Sequence, residues 1–158
     1  DIMTNPGYLK ACFKNGHIFK CKTHLFPCMG KNHSPKFLAT VEQSRSVVQE
    51  CDITEFASMM NDGNDLVVID VRERHEYEGG CFEGAMHLSK GVIERDIEKH
   101  PISEETRIVL YCGGGFRSAL AAESLTRMGY SNVYSLWGGW RSLVAEGLAK
   151  SAEEPNLP

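Results

Sequence analysis

Residues 107–118, with the sequence RIVLYCGGGFRS, contain a short apolar run, a glycine-rich turn and the start of a helical pattern. The apolar run at 107–110 is rich in β-branched residues, which is typical of a buried parallel strand. Apolar side chains then recur at helical spacing from residue 117 to residue 128. The stretch therefore predicts a strand that ends near Cys112, a turn of three glycines, and a helix.

Cys112 begins this turn, and the character of the turn indicates a nucleophilic thiol. Because glycine lacks a Cβ atom, the backbone of Gly113, Gly114 and Gly115 can curl tightly and direct several N–H groups at one point. That point also lies at the positive end of the dipole of the following helix. We expect a thiol there to ionise readily, and we expect Arg117 to offer a guanidinium suited to an oxyanion. The alternative is a buried structural cysteine followed by a flexible turn.

Strand and helix patterns alternate over most of the remaining chain. The run at 66–69 is the clearest strand, and further strands are predicted at 47–48, 85–88 and 132–136. Helices are predicted after a capping box of Asp52 and Glu55, at 91–99, at 117–128, and from the turn at 137–140 to near residue 147. Strands that alternate with helices through short links predict an α/β domain whose parallel sheet is covered on both faces.

Length and composition restrict the classes of protein that the chain can represent. A length of 158 residues favours one domain, and a net charge of −4 argues against a nucleic-acid surface. No apolar run is long enough to span a membrane, and no secretory signal is evident. Six cysteines without a recognised disulfide framework favour a reducing compartment. We therefore expect a cytoplasmic protein without a membrane partner.

Residues 1–45 differ from the rest of the chain, since they lack sustained periodicity, and we assign them to an irregular N-terminal extension in which 41–46 form a short helix. We assign 46–150 to the α/β domain and 151–158 to a flexible tail. The extension holds residue types that zinc accepts, although their spacing matches no known zinc module, so free thiols and solvated histidines are the alternative. These residues are Cys12, His17, Cys21, His24, Cys28 and His33.

The pattern Cys-x-x-Gly-x-Arg-Ser at 112–118 resembles the active-site loop of rhodanese-family sulfurtransferases. Two further segments extend the resemblance to roughly residues 47–148. The segment 70–87, with DVRE, EY and a later GA, is similar to the first signature of that family. The segment 129–140, with GY, NVY and GGW, is similar to its closing signature. Three motifs at matching spacings are rarely met by chance.

The resemblance implies a rhodanese-like, doubly wound, five-stranded parallel sheet with helices on both faces. It also implies transfer of a sulfane sulfur through a persulfide on Cys112, which would be the catalytic nucleophile. The loop would hold the extra sulfur with its N–H groups, Arg117 would bind the oxyanion of a donor, and Ser118 would cap the helix. The substrate-binding residues implied are Gly113, Gly114, Gly115, Phe116, Arg117 and Ser118.

Three residues of the first signature are assigned supporting roles. Asp70 and Arg72 would line the sheet edge and organise the loop rather than react, and the alternative is that they are purely structural. Cys81 stands where the family commonly has histidine. It is either a second thiol that resolves a persulfide on Cys112 or a small packed residue.

The chemistry implied by the resemblance needs no cofactor and no metal, because the cysteine itself carries the sulfur. The partners implied are a small sulfur donor, such as thiosulfate, polysulfide or a persulfide, and a thiophilic acceptor, which could be a protein. One alternative is a non-catalytic rhodanese-like interaction module, and another is a protein-to-protein sulfur relay. A cysteine-dependent phosphatase or arsenate reductase is disfavoured, since the anion loop of those enzymes is one residue longer.

Overall fold

The computed structural model describes residues 13–14, 17–18 and 33–151, and the chain divides into two compact units, Asp1–Lys31 and Asn32–Pro158. In the first unit, strand Phe13–Lys14 (β1) pairs antiparallel with strand His17–Ile18 (β2). Cys12, Cys21, His24 and Cys28 lie outside the described residues, so the zinc hypothesis for the extension stays a prediction.

The second unit is an α/β domain, in which strands and helices alternate along the chain. Its elements are Pro35–Arg45 (α1), Gln49–Cys51 (β3), Ile53–Asn61 (α2), Leu66–Asp70 (β4), Arg74–Glu78 (α3), Gly80–Phe82 (β5), Met86–His87 (β6), Ile93–Asp96 (α4) with the 3₁₀ turn Ile97–Lys99, Arg107–Tyr111 (β7), Phe116–Arg127 (α5), Val133–Leu136 (β8), Gly139–Ala145 (α6) and Ala149–Ser151 (β9). The capping box of Asp52 and Glu55 begins α2 as predicted.

Five strands form one parallel sheet in the order β3-β8-β7-β4-β6. The apolar strands β4 and β7 lie next to each other, with Leu66 beside Arg107 and Asp70 beside Tyr111. Continuous apolar runs suit this position, because both faces of a central parallel strand are buried. The fold class predicted from the sequence is confirmed.

Side chains of alternate strand residues build an apolar core on each face of the sheet. On one face Ile69, Ile108 and Leu110 belong to a cluster that includes Leu125 of α5. On the other face Val68, Val109 and Tyr111 belong to a cluster completed by Phe56 of α2 and Leu143 of α6. The helices therefore pack against both faces of the central strands, whose carboxyl ends carry the loops.

Helix α1 is longer than the helix predicted at 41–46, and it packs against α5. Ser34 caps it by accepting a hydrogen bond from the Phe37 N–H at 3.3 Å, and Pro35 occupies its first turn. The buried Ser44 hydroxyl donates a hydrogen bond to Glu123 of α5. Part of the segment that we assigned to the extension is thus packed on the α/β domain.

Strand β9 pairs antiparallel with β5, so that Cys81 lies beside Lys150. The sequence did not predict this ribbon. Ser151, which we assigned to the flexible tail, takes part in it opposite Gly80. A polar segment can pair in this way because its backbone groups supply the hydrogen bonds regardless of side chain. Residues 152–158 of the predicted tail lie outside the described residues.

Candidate active site

The loop 112–115 leaves the carboxyl end of β7 and leads directly into α5. Because β7 has β4 on one side and β8 on the other, the loop stands near the middle of the sheet edge. In open α/β folds, sites gather at this edge. Asp70 ends the neighbouring strand β4 and is in register with Tyr111, so it lies close to the start of the loop.

The Cys112 sulfur is buried and accepts two hydrogen bonds from its own loop and helix. Its residue is 1% exposed. The Gly115 N–H donates to Sγ at 3.2 Å, and the Ser118 hydroxyl donates to Sγ at 3.6 Å. Both donors lie at the N-terminus of α5, so the sulfur also faces the positive end of that helix. The sulfur is therefore surrounded by groups of the kind that bind anions in proteins.

The prediction that Ser118 caps α5 is wrong. The N-cap is Gly115, which has a φ of +91° and provides no side-chain cap. Ser118 is fully buried within the first turn, and its hydroxyl lies 2.8 Å from the Ser135 hydroxyl as well as near the sulfur. The Ser118 hydroxyl is therefore engaged with the Cys112 sulfur and with Ser135, and it caps no backbone N–H of α5.

A second turn, at 137–140, holds the loop from the side of β8. The Trp140 N–H donates to the Cys112 carbonyl at 2.6 Å, and the Arg141 N–H donates to the Gly113 carbonyl at 3.4 Å. Gly139 has a φ of +51°, and a Cβ atom there would collide with the Cys112 carbonyl. The family resemblance drew attention to this turn, but the pattern did not show that it bonds to the loop.

Arg117, which was predicted to bind an oxyanion, is held by a carboxylate of α3. Its Nη1 and Nη2 donate to the two Glu76 oxygens at 2.6 and 2.9 Å. A Glu73 oxygen lies 3.9 Å away. The hydrogen bonds from Arg117 lower the pKa of Glu76 to about 2, and the same pair raises the pKa of Arg117. Sequence reasoning noted Glu76 only as part of a motif.

Asp70 and Arg72 form a buried ion pair at the same sheet edge. The Arg72 guanidinium donates to both Asp70 oxygens, at 2.6 Å for the shortest contact, and to the Gly80 carbonyl at 2.6 Å. It also stacks over Trp140, 4.3 Å from the ring centroid. Burial lowers the pKa of Arg72, but the hydrogen bonds and charge of Asp70 outweigh this and raise it. The pair therefore connects β4, β5 and the turn that holds the loop.

Tyr111, the last residue of β7, lies beside the Asp70–Arg72 pair beneath the loop. Its hydroxyl accepts a hydrogen bond from the Phe82 N–H at 3.1 Å, and its ring lies 6.4 Å from that of Trp140. Burial is the main cause that raises the pKa of Tyr111, and hydrogen bonding with Asp70 adds to it. The phenol thus remains neutral and serves as a buried hydrogen-bonding group.

Cys81 lies on β5, half-buried, with its side chain beside Tyr77 of α3. Burial is the main cause that raises the pKa of Tyr77, and the neighbouring Cys81 raises it further. The two interpretations of Cys81, as a resolving thiol or as a packed residue, both remain predictions.

Within the described ranges, no three His, Cys, Asp or Glu side chains group closely enough to hold a metal ion. No helix in that part of the chain has the length and apolar character needed to cross a membrane.

Comparison with known proteins finds a match to the rhodanese-like domain family at residues 52–146. The putative mitochondrial thiosulfate sulfurtransferase of Schizosaccharomyces pombe is 30% identical over 115 residues, which are 61% of this chain and 80% of that protein. The tRNA uridine(34) hydroxylase of Photorhabdus laumondii is 32% identical over 108 residues, 66% of this chain. The matched segment is 29% of that hydroxylase, so this chain spans less than a third of its length.

Among solved structures, the polysulfide-sulfur transferase homodimer of Wolinella succinogenes has a TM-score of 0.65 at 24% identity, over 77% of this chain and 92% of that one. At this identity the likeness concerns the fold. The family match covers more than half of the chain and contains the loop, the Asp70–Arg72 pair and the turn at 137–140. The chain therefore belongs to the rhodanese family and carries a single rhodanese-like domain.

Proposed function

We propose that the protein is a sulfurtransferase that moves a sulfane sulfur from a donor to a thiophilic acceptor through a persulfide on Cys112. The observation that supports this most directly is the pair of donors, the Gly115 N–H and the Ser118 hydroxyl, directed at the Cys112 sulfur. Such donors stabilise a thiolate, which is the nucleophilic form of cysteine. The name of the yeast relative agrees with this chemistry.

With thiosulfate as donor, the Cys112 thiolate attacks the outer sulfur. A sulfur–sulfur bond forms to Cys112, the bond to the sulfonate sulfur breaks, and sulfite leaves with the electron pair of that bond. The acceptor then attacks the outer sulfur of the persulfide, and the Cys112 thiolate leaves. With cyanide as acceptor the product is thiocyanate, and no net oxidation or reduction of the protein takes place.

The loop residues Gly113 to Ser118 have the role of surrounding the transferred sulfur. Their backbone N–H groups and the dipole of α5 stabilise the negative charge of the persulfide. Within 113–118, Arg117 is the residue that carries a full positive charge. A donor oxyanion that binds its guanidinium would share that group with Glu76. Asp70, Arg72 and Tyr111 keep the sheet edge rigid beneath the loop.

The spacing of the loop favours sulfur over phosphate. Four residues separate Cys112 from Arg117, one fewer than in the phosphatases and arsenate reductases considered above, and a tetrahedral anion requires more room than one sulfur atom. The presence of Cys112 also favours catalysis over a purely interacting module. A relay in which the acceptor is a protein uses the same persulfide and is distinguished by its partner alone.

The intact mass of the reduced protein tests the proposal. After brief exposure to thiosulfate or polysulfide, we expect a gain of one sulfur atom, which cyanide removes and which Cys112→Ala abolishes. Cys81→Ala is the matched control, and it retains uptake if Cys81 is a packed residue. The absence of any mass gain with every donor would contradict the proposal and favour the interaction module.

A further inference from the structure

Residues that precede the family match lie against the active-site loop. Helix α1 packs on α5, and its flanking His33 ring lies 4.6 Å from the ring of Phe116, the first residue of α5. The Phe37 ring lies 6.3 Å from the same ring. The family match begins at residue 52, so these contacts lie outside it. The start of α5 is therefore contacted on this side by residues outside the matched range.

Arg45, the last residue of α1, makes the most specific of these contacts. Its Nη2 donates to the Gly115 carbonyl at 3.4 Å. Its guanidinium lies over two rings, 5.1 Å from the centroid of Phe116 and 4.3 Å from that of Trp137. The Arg45 guanidinium thus contacts both the loop at 112–115 and the turn at 137–140. Cation–π attraction to the two rings adds to the packing contact.

A carboxylate lies on the other side of the Arg45 side chain. Its Nε lies 3.2 Å from a Glu50 oxygen, and the side chains of Arg45 and Glu50 are 14% and 27% exposed. Burial is the main cause that raises the pKa of Glu50, while the charge of Arg45 opposes it. The guanidinium is therefore held between β3 on one side and the loop on the other.

Gly115 is the residue whose orientation matters most for the sulfur. Its φ of +91° is a conformation that glycine adopts freely, so contacts with its neighbours determine how it is oriented. Its N–H donates to the Cys112 sulfur and its carbonyl accepts from Arg45. The N–H and the carbonyl belong to adjacent peptide units that share the Gly115 Cα atom, so a displacement of Gly115 moves both.

We propose that Arg45 is a positioning residue for the sulfur-transfer site, and that it holds Gly115 so that the Gly115 N–H stays directed at Cys112. The expected effect on sulfur transfer rests on the proposed function. The positioning of Gly115 is a property of the thiol and its loop and can be measured without that function. The segment 33–45 then contributes a positioning residue to the site in addition to packing against α5.

The test compares Arg45→Met, Arg45→Lys and Glu50→Gln with the unaltered chain. Two rates are measured: alkylation of Cys112 by iodoacetamide, followed by peptide mass, and sulfite release from thiosulfate over a range of concentrations. We expect Arg45→Met to lower both by about tenfold, the scale of one hydrogen bond, with the loss in kcat rather than KM. Arg45→Lys, which keeps a charged donor, restores part of each rate.

Glu50→Gln weakens the support of Arg45, so we expect it to lower both rates less than Arg45→Met does. Ser44→Ala, added to this set, is the matched control, because it breaks the hydrogen bond from α1 to Glu123 of α5 without changing a group that touches the loop. It keeps both rates within about twofold while lowering the urea midpoint. An Arg45→Met protein with unchanged alkylation, or a Ser44→Ala protein as slow as Arg45→Met, overturns the inference. If the unaltered chain takes up sulfur from no donor, the proposed function fails, and the alkylation rates still decide the role of Arg45.

Discussion

The Ser118 hydroxyl lies between two partners, the sulfur of Cys112 and the hydroxyl of Ser135. Each partner is buried, so water is not available to replace a lost hydrogen bond. The hydroxyl can therefore act both as a donor to the sulfur and as a connection between α5 and β8. Substitution at each end of this connection separates the two roles.

Ser118→Ala removes the donor to the sulfur, and we expect it to lower the rate of sulfur uptake about five- to tenfold, the scale of one hydrogen bond. Ser135→Ala breaks the same hydroxyl pair but leaves the Ser118 donor in place. It should keep the rate within about twofold, with each substitution destabilising the fold by about 1 kcal/mol. Intact-mass kinetics and urea unfolding measure the two effects. Equal loss of rate in both variants would mean that the hydroxyl acts through packing alone.

At the scale of elements, two turns from different parts of the sequence meet back to back at the sheet edge. The turn before α6 approaches the loop so closely that Gly139 stands against the Cys112 carbonyl. Gly115 approaches the Leu136 carbonyl in the same way, since a Cβ atom there would lie 3.2 Å from that oxygen. The two turns therefore depend on glycine both for conformation and for space.

A comparison of Gly139→Ala with Gly147→Ala distinguishes backbone strain at positive φ from steric collision of the added Cβ atom. Both glycines have positive φ, +51° and +69°, but a Cβ atom at Gly147 would meet nothing within 4 Å. Gly147→Ala should cost about 1 kcal/mol from its backbone conformation alone. Gly139→Ala adds the collision with Cys112, about 1–3 kcal/mol more, and should also slow the alkylation of Cys112. Urea unfolding and iodoacetamide kinetics provide the measurements, and similar losses in the two variants would refute the close approach as the cause.

Local pattern was sufficient for the central strands and for the capped helix α2. Apolar runs marked β4 and β7, and the capping box marked α2, because these signals depend on residues close in sequence. The pairing of β5 with β9 escaped prediction, since the short segment 149–151 carries no strand pattern. Helix α1 was placed too short even though Ser34 and Pro35 form a start signal.

At the scale of the whole molecule, the sequence did not predict which residues distant in the chain contact one another in the fold. The Cys112 loop was predicted from its own residues, because glycines, thiol and helix are contiguous there. The Arg117–Glu76 pair joins residues 41 positions apart. The contacts of Trp140 and Arg45 with the loop are likewise set by tertiary packing. A single sequence contains no local signal for such pairs.

The Arg117–Glu76 pair ties α3 to α5, so its charge state contributes to the stability of the whole domain. The folded pKa of Glu76 is about 2, against an ordinary value of 4.5, because Arg117 donates two hydrogen bonds to its carboxylate. A lowered folded pKa stabilises the fold above the ordinary value, and this stabilisation is lost as the pH falls through the folded value. The sensitive range is therefore pH 4.5 to pH 2.

Glu76→Gln should be less stable than the unaltered chain at pH 7, and the difference should shrink as the pH falls from about 4.5 towards 2, because protonation removes the same charge that the substitution removes. Urea midpoints at pH 7, 4.5 and 3 measure it. Glu78→Gln is the matched control on the same helix, since the Arg74–Glu78 pair is exposed to solvent and contributes little. A difference for Glu76→Gln that stays constant from pH 7 to pH 3 would show that Glu76 supports the fold through its shape and hydrogen bonds rather than its charge. Arg117 would then be available to an anionic sulfur donor at little electrostatic cost.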